Sequence, residues 1–444
     1  MNDTIAALAT APGQGGIAIV RLSGPDSEQI LSRVFRPAGK QFPLTSHMLT
    51  YGHLLDEAGE RIDECMAVVM RAPRSYTRED VAELHLHGGD WTAQSVLKAL
   101  YALGARPAEP GEFTRRAFLN GRIDLSRAEA VMALIAADSA RSARAALRQL
   151  SGGVSGFVNE VQRDLVKLLA GVAAAIDYPD EISFEEAAGS LREGAEALAQ
   201  RLENACDERG ARIADKGLEV VLCGRPNVGK SSLLNALARQ ECAIVTDVPG
   251  TTRDIVRADV MLGGVRVHFA DTAGIRAQGD RIEQIGVARA RQAVAGADTV
   301  LLVLDASAPL SEEDQALLHD TDDAPRIIVL NKSDLAPVLR PEDFRNAVSV
   351  SAATGDGLPA LEEKISRFAQ GAGESALTQA RHMALAREAA AALRRAAQDC
   401  AEGQSVDVAE LALQEALRAL GRITGEQVDE MMIDDIFATF CVGK

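Results

Sequence analysis

Gly224-Arg225-Pro226-Asn227-Val228-Gly229-Lys230-Ser231 has the spacing G-x-x-x-x-G-K-S. Glycines let backbone N–H groups close around a phosphate, the lysine adds a point charge, and the serine hydroxyl can ligate Mg²⁺. This chemistry needs a strand before the loop and a helix after it, because a helix start points free N–H groups at an anion. The apolar run Leu218 to Cys223 and the helical pattern of Ser231 to Ala238 supply both. Expected phosphate contacts are Asn227, Val228, Gly229, Lys230, Ser231 and Ser232. Asn331-Lys332-Ser333-Asp334 follows another apolar run, Arg326 to Leu330. The Asp334 carboxylate can accept hydrogen bonds from the N1–H and 2-amino group of guanine, a donor pair that adenine lacks. With Ser351-Ala352 after the next strand-like run, the expected ligand is GTP. Asp271-Thr272-Ala273-Gly274 ends the run Val265 to Ala270, where an acid can reach the Mg²⁺ shell and the Gly274 N–H can sense a γ-phosphate. Thr252, in Gly250-Thr251-Thr252-Arg253-Asp254, is the candidate second Mg²⁺ hydroxyl beside Ser231.

These loops need a scaffold, and from about Gly217 strand patterns alternate with helical ones: Leu218 to Cys223, Thr299 to Asp305, Arg326 to Leu330 and Ala347 to Val350, the last followed by the helix Leu358 to Phe368. Such alternation predicts a mostly parallel sheet with helices on both faces. Residues 1 to about 118 mix short strand runs (Ile17 to Leu22, Met66 to Met70, Val81 to His87) with turns and one helical pattern, Trp91 to Leu103, as in an α+β domain. Ala/Leu/Arg-rich helical texture runs from Ala117 to about Glu208 and returns after Gly371-Ala372-Gly373. The packing that buries both apolar faces is one helical domain with the α/β domain inserted.

At 444 residues the chain should hold about three domains. Sixty-four acids against 47 bases leave a net charge of −17, which excludes bulk electrostatic binding of nucleic acid or anionic membrane. The six cysteines form no C-x-x-C pair, and no run approaches the ~18 apolar residues of a membrane span. A cytoplasmic protein without membrane attachment is expected.

The α/β unit resembles a translation-factor-type small GTPase domain. Ile275, after D-T-A-G, stands where a water-positioning glutamine would be in the Ras-like pattern. Asn227 and the loop Thr246-Asp247-Val248-Pro249-Gly250-Thr251 resemble the potassium-activated GTPases, a likeness that implies a K⁺ site at Asn227, Thr246, Val248 and Thr251. Three further stretches, Asp3 to Ile17, Pro110 to Gly121 and Phe440-Cys441-Val442-Gly443-Lys444, extend the likeness over the whole chain, which is similar to the MnmE (TrmE) family of tRNA modification GTPases. That resemblance implies a multidomain fold of class α/β plus α: an N-terminal tetrahydrofolate-binding and dimerisation domain (1–118), a helical domain in two segments (119–212 and 373–444) and an inserted Ras-like P-loop GTPase domain (213–372). It implies a homodimer that works with MnmG, an FAD-dependent partner, in a heterotetrameric or larger complex. Together they add an aminomethyl or carboxymethylaminomethyl group to C5 of a tRNA wobble uridine. A 5-formyl- or methylene-tetrahydrofolate would be held by Arg21, Glu83, Arg122 and Lys444. Position 122 usually carries lysine in the family, and position 249 a residue smaller than Pro249. By the same resemblance Glu283 orients the attacking water, Arg276 supports the switch, Asp247, Pro249 and Gly250 join Thr272 and Ala273 among the nucleotide contacts, and Cys441 lies near the modification centre.

His85 and His87 share one face of a strand, where packing or pocket lining is expected rather than a metal site. Phe113 to Arg148 holds seven arginines against three acids and is the candidate tRNA phosphate contact, with a solvated helix face as the plain alternative.

Overall fold

Short runs of alternating apolar and polar residues recur in the N-terminal stretch, which a computed structural model folds into seven strands: β1 (Ile5–Leu8), β2 (Ile17–Ser23), β3 (Phe35–Pro37), β4 (Thr50–Leu55), β5 (Arg61–Met70), β6 (Val81–His87) and β7 (Arg106–Pro107). The structure describes every residue except 1–2, 40, 57, 179, 182, 241–256, 272–295, 370–375, 405, 429 and 444. Contacts divide the chain into two units, residues 1–132 with 149–192 and 395–444, and residues 133–148 with 193–394.

In the first unit the strands form one sheet of order β3-β4-β5-β6-β2-β1-β7, antiparallel except for β1 beside β7. Val20, Leu22, Leu84, Leu86 and Val69 turn to one face and bury against helices Ser27–Val34 and Asp90–Ala102. The period of two sends Arg21, Glu83 and His85 to the other face. Helix Gly153–Asp177 lies along Val406–Thr424, and the last helix, Glu430–Ala438, buries Ile433 and Phe437 with Leu125 and Ala128. The two helical textures therefore do pack on each other within this unit.

A buried ion cluster ties the start of the chain to this assembly. Arg116, only 1% exposed, pairs with Glu112 at 2.9 Å, Asp3 at 2.9 Å and Glu79 at 3.1 Å. Arg106 joins it, 2.6 Å from Glu112. Burial alone would raise the Glu112 carboxyl, but hydrogen bonds from Arg106, the Glu109 N–H and Arg116 outweigh it and hold the group below its ordinary value.

In the second unit β8 (Leu218–Cys223), β9 (Arg257–Leu262), β10 (Val265–Asp271), β11 (Thr299–Asp305), β12 (Arg326–Asn331) and β13 (Ala347–Ser349) form a sheet of order β13-β12-β11-β8-β10-β9. Five strands run parallel, as the alternation predicts. The edge differs: β9 is antiparallel to β10, because Gly263 and Gly264 both take positive φ and close a two-residue hairpin. Both faces are covered, Val220 and Leu222 packing with Leu233 and Leu361, Val221 and Cys223 with Leu302 and Leu304. Continuous apolar strands are the signature of such two-sided burial. Helices Lys230–Gln240 and Leu358–Arg367 follow β8 and β13 as expected.

Replacing Arg116 with Met removes a buried cation shared by Glu112, Glu79 and Asp3, leaving Glu112 with Arg106 alone among its cations, and should cost about 3 kcal/mol in urea or thermal unfolding of the full chain. Glu112 has a depressed folded value, so its contribution is complete above the unfolded value of about 4.5 and is lost as pH falls through the folded one. The gap between wild type and Arg116→Met should therefore narrow as the pH is lowered below 4.5.

Candidate nucleotide site and folate-type cluster

The ends of parallel strands gather loops at one edge of a sheet, and here the edge carries the phosphate-type loop after β8, Asn331-Lys332-Ser333-Asp334 after β12 and Ser351-Ala352 after β13. Asn227 turns the first loop with φ 64°, and Val228 is buried beneath it. Lys230 curls back over the loop, its Nζ donating to the carbonyls of Gly224 (2.7 Å) and Arg225 (2.9 Å). Ser231 and Ser232 are exposed at the helix start. The hydroxyl of Ser231 fits a Mg²⁺ bound partly through phosphates and water, the usual mode for this small, strongly hydrated ion. Among the described residues no cluster of three or more acids, histidines or cysteines could hold a metal alone. His87 instead pairs with Asp63 at 2.7 Å, and His85 lies 3.3 Å from Glu83.

Asn331, 2% exposed, links the loops: its Nδ2 donates to Val228 O at 2.8 Å, and its Oδ1 accepts from Ala352 N at 3.1 Å. A Cβ at Gly229 would lie 2.3 Å from that Nδ2, so glycine is required for the approach. Ser351, fully buried, donates to Asp334 Oδ1 at 2.6 Å and aims an exposed carboxylate where it can accept a guanine's paired donors.

Two supporting acids escaped sequence reasoning. Asp305, ending β11, accepts from Lys332 Nζ at 2.6 Å; burial would raise its carboxyl, but hydrogen bonds from Lys332 and Ser307 hold it below its ordinary value. Asp314, buried in the first turn of Glu312–Asp320, sits 3.2 Å from the Arg225 Nε of the phosphate-type loop. An acid closing an apolar run was the only sequence signal for Asp305.

Asp271 closes β10. The expected site residues Thr246, Asp247, Val248, Pro249, Gly250, Thr251, Thr252, Thr272, Ala273, Gly274, Arg276, Glu283 and Lys444 lie outside the described residues.

In the first unit Arg21 and Glu83 face each other across β2 and β6, Nε to Oε1 at 2.8 Å. Arg21 lies 5.6 Å from the Tyr76 ring and Arg122 4.8 Å from the same ring, so two arginines distant in sequence meet at one ring, one of them paired with Glu83. Tyr76 carried no signal in the sequence. The chain end reaches the same region: Gly443 packs so closely on Leu8 that a Cβ would lie 2.1 Å from its carbonyl, and Leu8 pairs with Val20, next to Arg21. Cys441 is exposed, its carbonyl accepting from Gly111 N at 3.3 Å. The Cys65 thiol is pushed up to about 12 by burial and the nearby Asp63, which makes it inert.

Four of the seven arginines in the arginine-rich stretch have partners within the chain. Arg115 pairs with Asp434 at 2.7 Å, Arg116 is buried, Arg122 leans on Tyr76 and Arg127 lies 3.3 Å from Asp124. Internal ion pairs and ring packing engage these four, which leaves Arg141, Arg144 and Arg148 as the remaining arginines of the candidate tRNA contact.

A six-stranded sheet of this order, with these loops at the ends of its parallel strands, defines a Ras-like P-loop GTPase fold, and the chain is a GTP-hydrolysing enzyme. Family models for the "MnmE helical domain" and the "GTP-binding protein TrmE N-terminus" match residues 125–441 and 4–122. "tRNA modification GTPase MnmE" of Lactiplantibacillus plantarum is 42% identical over 100% of this chain and 98% of its own, and that of Chloroflexus aurantiacus 46% identical over 100% of both. The G domain of the T. maritima FeoB iron transporter is 30% identical over 34% of this chain and 99% of that one, with a TM-score of 0.28. The chain belongs to the MnmE (TrmE) family of tRNA modification GTPases. No helix among the described residues is long and apolar enough to cross a membrane.

Asn331→Ala leaves Val228 O and Ala352 N without their partner, a loss of about 1–3 kcal/mol for a buried pair of this kind. Titration with a fluorescent GDP analogue should show affinity weakened about tenfold or more, while the isolated loss of a surface amide would leave it unchanged.

Proposed function

We propose that the chain is a potassium-activated GTPase that, with the FAD-dependent protein MnmG, adds an aminomethyl or carboxymethylaminomethyl group to C5 of the wobble uridine of certain tRNAs, using a tetrahydrofolate one-carbon unit. The observation that carries this reading is the meeting of Arg21, paired with Glu83, and Arg122 at one aromatic ring, in a chain whose other unit carries the guanine-nucleotide loops. Full-length similarity to MnmE proteins supports the partner, the tRNA and a homodimer. The domains on this reading are 1–118, 119–212, 213–372 and 373–444.

In the G domain the backbone N–H groups of Asn227 to Ser232 and the Lys230 ammonium bind the phosphates, and Asp334 with Ala352 reads the base. Ser231 and Thr252 hold Mg²⁺, with Asp271 near its shell, while Asn227, Thr246, Val248 and Thr251 hold K⁺. When bound, the two cations neutralise charge that builds on the phosphates. Glu283 orients the attacking water that Ile275 cannot, and Arg276 keeps the switch in register. Arg21, Glu83, Arg122 and Lys444 bind the folate. The exposed Cys441 belongs, on this reading, to the joint centre with MnmG.

GTP turnover should be several-fold faster in KCl than in NaCl at equal ionic strength; equal rates would remove the K⁺ mechanism. Glu283→Ala should keep GTP affinity within about threefold yet lose at least a hundredfold in kcat, as expected when a water-orienting base is deleted. Full turnover in that variant would reassign the role. Asp334→Asn should exchange GTP for XTP as the preferred substrate, since the amide can donate to the extra carbonyl of xanthine.

A further inference from the structure

We propose that Tyr76 is the positioning residue of the folate site, holding the guanidinium groups of Arg21 and Arg122 so that together they receive the glutamyl carboxylates of the ligand. The proposal rests on the folate reading above and adds to it which end of the ligand these arginines take.

The Arg21 side chain is only 17% exposed. Its Nε is committed to Glu83, and its central carbon lies 5.6 Å from both the Tyr76 and Phe113 ring centroids. Among the described residues its two terminal nitrogens make no hydrogen bond. Those two nitrogens form the fork that matches a carboxylate in bidentate fashion. Held by Glu83 at Nε and flanked by two rings, the fork is fixed in direction while its two terminal nitrogens stay available to an anion.

Arg122 approaches the same ring at 4.8 Å and donates from Nη1 to the Tyr76 carbonyl at 2.8 Å. Two cations on one aromatic residue repel each other, and the electron-rich ring is what offsets that repulsion. Glu83 supplies one negative charge against two positive ones, so the cluster retains a surplus that suits an anionic ligand. Tyr76 is itself fixed: its hydroxyl lies 2.9 Å from Thr114 Oγ1, and Thr114 and Phe113 are fully buried. The ring is thus a rigid support, and it needs neither ligand contact nor proton transfer to act.

Arg122 gains from being an arginine here. It both stacks on the ring and donates to the backbone carbonyl, which an ammonium on a flexible stem does not do together.

The test uses the full-length protein and two probes: 5-formyltetrahydrofolate, which carries the glutamyl tail, and 6-methyltetrahydropterin, which does not. Calorimetric titration should show Tyr76→Leu raising the Kd for the folate about tenfold or more, the scale of losing a desolvated cation–π support. Tyr76→Phe, which keeps the ring and drops the hydroxyl, should stay within about threefold, and Arg122→Gln on the exposed side of the cluster should resemble Tyr76→Leu. All three should bind the pterin like wild type. Unchanged folate affinity in Tyr76→Leu, or equal losses for both probes, would overturn the proposal. If Tyr76→Leu binds folate normally while Arg21→Ala does not, the folate reading stands and only the role of Tyr76 is lost. A wild-type chain that binds neither probe removes the folate reading and the proposal with it.

Discussion

The carboxamide of Asn331 is the interaction on which the nucleotide edge depends. It donates to the loop after β8 and accepts from the loop after β13, while its own backbone closes β12. Three loops are joined by one buried group with both of its polar atoms satisfied, and a half-satisfied group in that position would be worse than none. The demand reaches back into the sequence: Gly229 has no side chain because that amide occupies the space. The strands beneath are apolar on both faces, so the edge rests on a core that resists displacement.

Charge is handled locally throughout the chain. A net charge of −17 is compatible with anionic ligands because the cations that matter are placed singly. Lys230 folds over its loop, Lys332 is held by Asp305, and Arg21 and Arg122 share one ring. The arginines near residue 116 serve a different end. They pair with the buried Glu112 and with Asp3, locking Asp3 onto helix Glu112–Leu119, a structural use that composition cannot distinguish from a binding face.

This difference marks what could be read in advance. The loop Gly224 to Ser231, the guanine-type Asp334 and the strands under them were legible, because each is a local pattern whose chemistry follows from residue type and spacing. The antiparallel edge β9 and the supports Asp305 and Asp314 were not, since their meaning comes from partners 27 residues or more away, or from one hairpin. Arg21, Glu83 and Arg122 came from family likeness, and Tyr76, the residue that gathers two of them, came from neither source. Its ring acquires a role only once β2, the loop before β6 and the turn after helix Glu112–Leu119 are brought together.

The central claim is that GTP hydrolysis by this chain serves tRNA modification, and mass spectrometry of wobble uridines tests it most directly. In a strain lacking the protein, the C5 aminomethyl-type substituent should vanish. Wild-type protein should restore it, and the nucleotide-site variant Lys230→Ala should not. Wobble uridines that keep their C5 substituent in the deletion strain would contradict the account.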